Sequence, residues 1–149
     1  MTMPAMTSLD VLIESSRNAL DGETRRLAEE LDRCRAAEDR LQLLERYRHD
    51  YESAFREKGA AGLTVGAWRD YRLFLGQLDA AILQQKRVLE ERRVHADKRR
   101  ETWSAADARV RKYSKVAERR GEEAKTVAGR AEQRLLDEMS FRRAGLMAQ

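Results

Sequence analysis

From Leu9 to about Lys58 the apolar residues fall on one broad stripe: Leu20, Leu27, Leu31, Cys34, Leu41, Leu44, Tyr51 and Phe55. Most intervals are three or four residues, the spacing of one helix face. The jump from Cys34 to Leu41 reads as a phase slip, which bends or locally unwinds a supercoil without ending the helix. No proline interrupts this segment, Gly22 is its only glycine, and Ser8 is a candidate N-cap with Asp10 in the first turn. Met1–Thr7 reads as a loose leader. Gly59-Ala60-Ala61-Gly62 then supplies a helix stop and a tight reversal, with Thr64 as the next cap.

A second helix is expected from about residue 64 to about residue 141, with a cleaner repeat. Tyr71, Leu75, Leu78, Ile82, Gln85, Leu89, Arg92, Ala96, Arg99, Trp103, Ala106, Val110, Tyr113, Ala117, Arg120, Ala124, Val127 and Ala131 follow one another in steps of four and three. A heptad seam sustained this long is a coiled-coil signature. Its polar members, Gln85, Arg92, Arg99 and Arg120, weaken the seam and help fix register, because an arginine stem lies along an apolar groove while its guanidinium reaches water. The short connection makes the two helices antiparallel neighbours. The fold expected is therefore all-α, a single helical hairpin with helix 1 at about 8–58, a turn at 59–63 and a longer helix 2.

The two lengths, roughly 75 Å and roughly 115 Å at 1.5 Å per residue, do not match. Counted outward from the turn, Ser8 falls opposite Tyr113 or Ser114. Everything from about Lys115 onward, including Val116, Val127, Leu135, Leu136 and Met139, then lacks an internal partner. It either frays or finds a partner elsewhere.

Composition separates this reading from disorder. Charged residues make up 38% of the chain and aromatics 6%, but 30 basic residues nearly balance 26 acidic ones and the signs are interleaved. Residues 1–60 carry 13 acidic and 10 basic side chains, a net of −3; the remainder carries 13 and 20, a net of +7. The asymmetry favours helix pairing modestly, since exposed ion pairs are individually weak. The basic excess is greatest from Lys86 to Arg120. A solvated face or an acidic protein partner explains it better than nucleic acid, because the charges surround the helix and are mixed with carboxylates.

Cys34, the one cysteine, reads as a reduced packing residue, the alternative being an intermolecular disulfide. His49 and His95 lie on different helices without metal-ligand spacing, so neither metal nor cofactor is expected. Gly59–Gly62 matches a GxxG nucleic-acid clamp only outside the fold such a clamp requires. A two-helix hairpin has no concave pocket to shield a reaction from water, which argues against catalysis. No apolar run approaches the ~20 residues of a membrane span, and no secretory leader is apparent. A cytoplasmic protein is the expectation.

Aromatics, scarce overall, gather beside the turn. Reversal at the glycines brings Tyr47, Tyr51 and Phe55 near Trp68, Tyr71, Phe74 and Leu78, more rings than one seam buries. They form either a binding surface or a locally thickened core. Here the sequence resembles the flagellar type III export protein FliJ family. The resemblance rests on Tyr47-x-x-x-Tyr51, the glycine turn, then Trp68-x-x-Tyr71-x-x-Phe74, Leu78, Ala81-Ile82 and Gln85, with supporting helix lengths and charge.

The resemblance implies a non-catalytic, stalk-like component of the flagellar export apparatus. It would associate with the hexameric export ATPase FliI, the export gate protein FlhA and export chaperones, at the inner face of the cell membrane. It also implies gate-binding residues at Leu44, Tyr47, Tyr51, Phe74, Leu78 and Ala81. Further candidates are Arg40 and Gln85, where other members carry Gln and His, and Trp68 and Tyr71. The alternatives left open are the stalk protein of a virulence-type secretion system and a self-associating structural coiled coil.

Overall fold

The computed structural model describes residues 5–147, which form two α-helices and no strand. Helix α1 spans Ser8–Ala60 (53 residues) and α2 spans Val65–Met147 (83 residues). The architecture is the antiparallel two-helix coiled coil expected from the heptads, with the second helix the longer. Of the expected leader, residues 1–4 lie outside the described residues. The contacts divide into two units, 21–105 and a second made of residues up to 20 together with those from 106. Both helices contribute to each.

The first cap differs from expectation. Thr7, not Ser8, holds the helix start: its Oγ1 accepts from the Asp10 amide at 3.2 Å, and its own amide donates to Asp10 Oδ2 at 3.1 Å. This is a reciprocal capping box, and Thr7-x-x-Asp10 was its sequence signature. The Thr7 hydroxyl and amide together hold the Asp10 carboxyl below its ordinary pKa. Thr64 caps α2 as its position predicted, accepting from the Ala67 amide at 3.2 Å.

At the turn, α1 runs through Gly59 before stopping. The stop is made by Gly62, whose φ of 94° lies in the left-handed region that a Cβ disfavours. Ala61 and Gly62 amides donate back to the Lys58 and Gly59 carbonyls at 3.1 and 3.2 Å, satisfying carbonyls at the helix end. At the other terminus α2 continues beyond the expected Phe141, because Arg142-Arg143-Ala144 are helix formers and Gly145 alone does not break a helix.

Within unit 21–105 the phase slip expected between Cys34 and Leu41 is absent. Ala37 fills the step at 5% exposure, so the seam runs Cys34, Ala37, Leu41, Leu44, Arg48, Tyr51, Phe55 without interruption. Ala37 escaped the apolar pattern because it is small, yet a small residue is what permits close helix approach. Facing it, Leu78, Ile82, Leu89 and Ala96 are buried, and Gln85, Arg92 and Arg99 are half-buried at the seam positions the repeat assigned them. Gln85 is satisfied there, its Nε2 donating to the Ala37 carbonyl at 3.0 Å. Farther from the turn, Trp103 Nε1 donates to Thr24 Oγ1 at 3.0 Å, and the Thr102 hydroxyl donates to Glu23 Oε2 at 3.1 Å.

In the other unit, Leu12, Ser15, Ser16 and Ala19 pack beside Ala106, Arg109 and Tyr113. Ser16 is buried and donates to the Ile13 carbonyl at 2.8 Å. Cover on α2 ends at Ala117, with Val116 half-buried, and every described residue from 118 onward is exposed. The heptad positions Arg120, Ala124, Val127 and Ala131 therefore have no facing helix. Beyond Val127 the large apolar residues Leu135, Leu136 and Met139 also leave the seam register, where Arg134 and Glu138 stand instead. No described helix is long and apolar enough to cross a membrane.

Candidate functional site

Beside the turn, in unit 21–105, the aromatic residues separate into a stack and a groove. The stack is built on the seam. Tyr71 lies nearly parallel to Phe55 (centroids 3.5 Å, 10°) and to Tyr51 (5.4 Å, 15°), and Trp68 leans on both Phe55 and Tyr71 at 5.4 and 6.1 Å. Arg72 places its guanidinium carbon 5.9 Å from the Trp68 ring centre, a cation–π contact at the edge of the stack.

The groove lies next to it. Tyr47, Asp50, Tyr51 and Ala54 from α1 and Phe74 and Leu78 from α2 line an open depression of about 480 Å³. Tyr51 and Phe74 meet at 4.5 Å with their planes tilted 55°, forming its floor with the buried Leu78. Tyr47 remains 55% exposed and Phe74 42%, so aromatic surface stands in water where one seam could not absorb it.

The heptads explain why the groove is on one side only. With Ala37, Leu44 and Tyr51 as d positions of α1 and Tyr71, Leu78 and Gln85 as those of α2, the residues three after each d form one flank. Near the turn these are Arg40, Tyr47 and Ala54 on α1, with Phe74, Ala81 and Val88 on α2. The residues one after each d form the opposite flank: Glu38, Glu45 and Glu52 against Arg72, Asp79, Lys86 and Arg93. Charge pairing between the helices belongs to that second flank. Arg48 Nε donates to Asp79 Oδ1 at 2.6 Å and its NH1 donates to Glu52 at 3.0 Å, while Arg93 lies 3.8 Å from Glu38. The hydrogen bond that Arg48 donates to Asp79 raises the Arg48 pKa further above an already high value. One flank is zipped by ions; the other is apolar and open.

The sequence-derived candidates distribute accordingly. Tyr47, Tyr51, Phe74 and Leu78 line the groove together. Leu44 is half-buried on the seam, and Ala81 is exposed one turn along α2 from Leu78. Tyr71 belongs to the stack, and Trp68, 48% exposed, forms its outer face. Arg40 and Gln85 line a neighbouring recess of about 190 Å³ with Arg33, Ala36, Ala37, Val88 and Arg92. The Gln85 amide is engaged by the Ala37 carbonyl, whereas Arg40 is exposed. Sequence reasoning missed Asp50 and Ala54, although both follow from Tyr47 and Tyr51 at helical spacing.

Two comparisons bear on identity. The family model described as "Flagellar FliJ protein" matches residues 6–146, nearly the whole chain. The "Flagellar FliJ protein" of Escherichia coli (strain K12) is 26% identical over 137 residues, covering 92% of this chain and 93% of that protein. With the aromatic hairpin tip and the longer second helix, the match across both helices settles the classification: the chain belongs to the flagellar FliJ family.

Proposed function

We propose that this chain is a stalk-like component of the flagellar export apparatus. In this reading it contacts the export gate protein FlhA through the aromatic groove and the hexameric export ATPase FliI through the uncovered part of α2. Family membership makes it a flagellar export component; the partners are what the proposal adds. The observation that carries it is the groove, in which four of the six implied gate-binding residues stand together with half-exposed aromatic rings. Rigid aromatic anchors partly out of water are the usual energetic centres of protein interfaces. Leu44, half-buried on the seam, and Ala81, exposed one turn from Leu78, complete the implied set without lining the groove. The helix beyond Ala117 supports the second contact, since it displays Val127, Leu135, Leu136 and Met139 with no helix opposite. Export chaperones are a third class of partner, met in the cytoplasm at the inner face of the membrane. The chain itself is non-catalytic and acts as partner to the ATPase.

Two variants test the division of labour. Ending the chain after Ala117 removes only uncovered helix and is expected to abolish co-purification with the ATPase while leaving gate binding intact. Tyr47→Ala combined with Phe74→Ala should do the converse. Loss of both partners to the same degree in both variants would show that the contact regions are not separate.

A further inference from the structure

We infer that the segment docking in the aromatic groove is acidic next to its apolar anchor, with a carboxylate received by Arg40 and Arg92. The inference rests on the groove being the gate-binding surface and adds the chemistry of what binds there. Along the open flank α1 repeats an arginine every seven residues: Arg26, Arg33, Arg40. The first two are neutralised by seam glutamates three residues earlier, Arg26 by Glu23 and Arg33 by Glu30, each at 2.8 Å. Arg40 breaks the pattern, because the residue three before it is Ala37. Among the described residues neither Arg40 nor Arg92 has an ion-pair or hydrogen-bond partner, although both line the recess that also holds Gln85.

That recess lies along the same flank as the groove, farther from the turn. Arg40 precedes Tyr47 by seven residues, two helical turns or about 10 Å. On α2 the flank contributes Phe74, Ala81, Val88, His95 and Thr102, so no carboxylate occupies a flank position on either helix between Arg26 and Ala54 or between Phe74 and Thr102. The acidic flank residues Glu38, Glu45 and Glu52 all lie on the other side, and the one carboxylate lining the groove is Asp50. An incoming peptide therefore meets apolar surface first and unpaired positive charge about two turns farther from the hairpin turn. A segment with a bulky apolar anchor and an Asp or Glu about 10 Å along matches both, while a purely apolar segment leaves the guanidinium of Arg92 partly desolvated and uncompensated.

The test titrates the full-length chain with the purified cytoplasmic portion of the gate at about 0.05 and 0.5 M salt, where screening differs several-fold. Arg40→Glu should weaken binding about tenfold at low salt and Arg40→Gln about threefold, both with a shallower salt dependence than the parent. Arg93→Glu, on the ion-zipped flank, should bind as the parent does. Arg40 is exposed, so circular dichroism of its variants should match the parent. If Tyr47→Ala loses binding while Arg40→Glu binds like the parent at both salts, the acidic segment is refuted and the gate-binding groove stands. If the parent chain itself fails to bind, the gate reading falls and this inference falls with it.

Discussion

Replacing Tyr71 with alanine should separate the scaffold of the groove from its contact surface. Tyr71 lines no part of the groove but stacks on Tyr51 and Phe55 and touches Trp68. A fully buried large aromatic truncated to alanine costs about 3–5 kcal/mol, and a half-buried one about half of that, roughly 2 kcal/mol. The stacks add about 1 kcal/mol in total rather than a full increment each, because the three partners share one ring and the 3.5 Å, 10° pair is close to the less favourable face-to-face arrangement. Alanine returns about 0.5 kcal/mol of helix propensity. The net expectation is a loss of about 2–3 kcal/mol, confined to the end of the hairpin near the turn. Tyr47→Ala, which removes a ring already 55% exposed, should cost less than about 0.5 kcal/mol. Long helical hairpins open locally, so the appropriate assay is amide hydrogen exchange resolved by segment. Protection of 44–58 and 65–78 should fall by about two orders of magnitude in Tyr71→Ala and stay near the parent value in Tyr47→Ala. Equal losses in the two variants would refute the division into stack and groove.

Three further outcomes follow from local geometry. Gly62→Ala forces a Cβ onto a φ of 94° and should destabilise the turn by about 1 kcal/mol, whereas Gly22→Ala, inside α1 with open space at its Cβ, should stabilise by about 0.5–1 kcal/mol; thermal unfolding of both would show opposite signs. Thr7→Ala should fray the first turn of α1 at a cost of about 1 kcal/mol, read as faster exchange of the amides of residues 8–11. Because the folded Asp10 pKa is depressed, its part of this cap is present above the unfolded carboxylate pKa of about 3.9 and lost as pH falls through the lower folded value; the fraying produced by Thr7→Ala should therefore shrink in strong acid.

Much of the fold was legible because helix periodicity survives in every segment that is paired. The glycine reversal, the Thr64 cap, the half-buried Gln85, Arg92 and Arg99 and the loss of cover near residue 115 all follow from spacing alone. What escaped notice did so for identifiable reasons. Ala37 is too small to register as a hydrophobic landmark, so an intact heptad looked like a slip. Ser8 and Thr7 are adjacent hydroxyls, and only the three-residue spacing to Asp10 distinguishes them. Gly59 looked like a stop because glycine is weak in helices, but termination needed the left-handed backbone that, among the described residues, only Gly62 adopts. The groove was legible as an excess of aromatic residues, but not as a one-sided surface. That required assigning each flank position to its helix partner, after which the ion-zipped and open sides are distinct even in the bare sequence.

The uncovered stretch of α2 has a thermodynamic character of its own. An isolated helix must first form a costly nucleus, with a statistical weight of about 10⁻³, before each further residue adds on nearly even terms. Here the paired residues up to Ala117 already supply that nucleus, so helix beyond them grows by propagation alone. Its length is then set by a per-residue balance close to unity, sensitive to temperature and to each glycine on the way, Gly121, Gly129 and Gly145. A partner that grips only the distal residues would lengthen the ordered helix without having to initiate it. The same partner could release it one turn at a time, so the chain reaches outward by an adjustable number of turns rather than by a fixed arm.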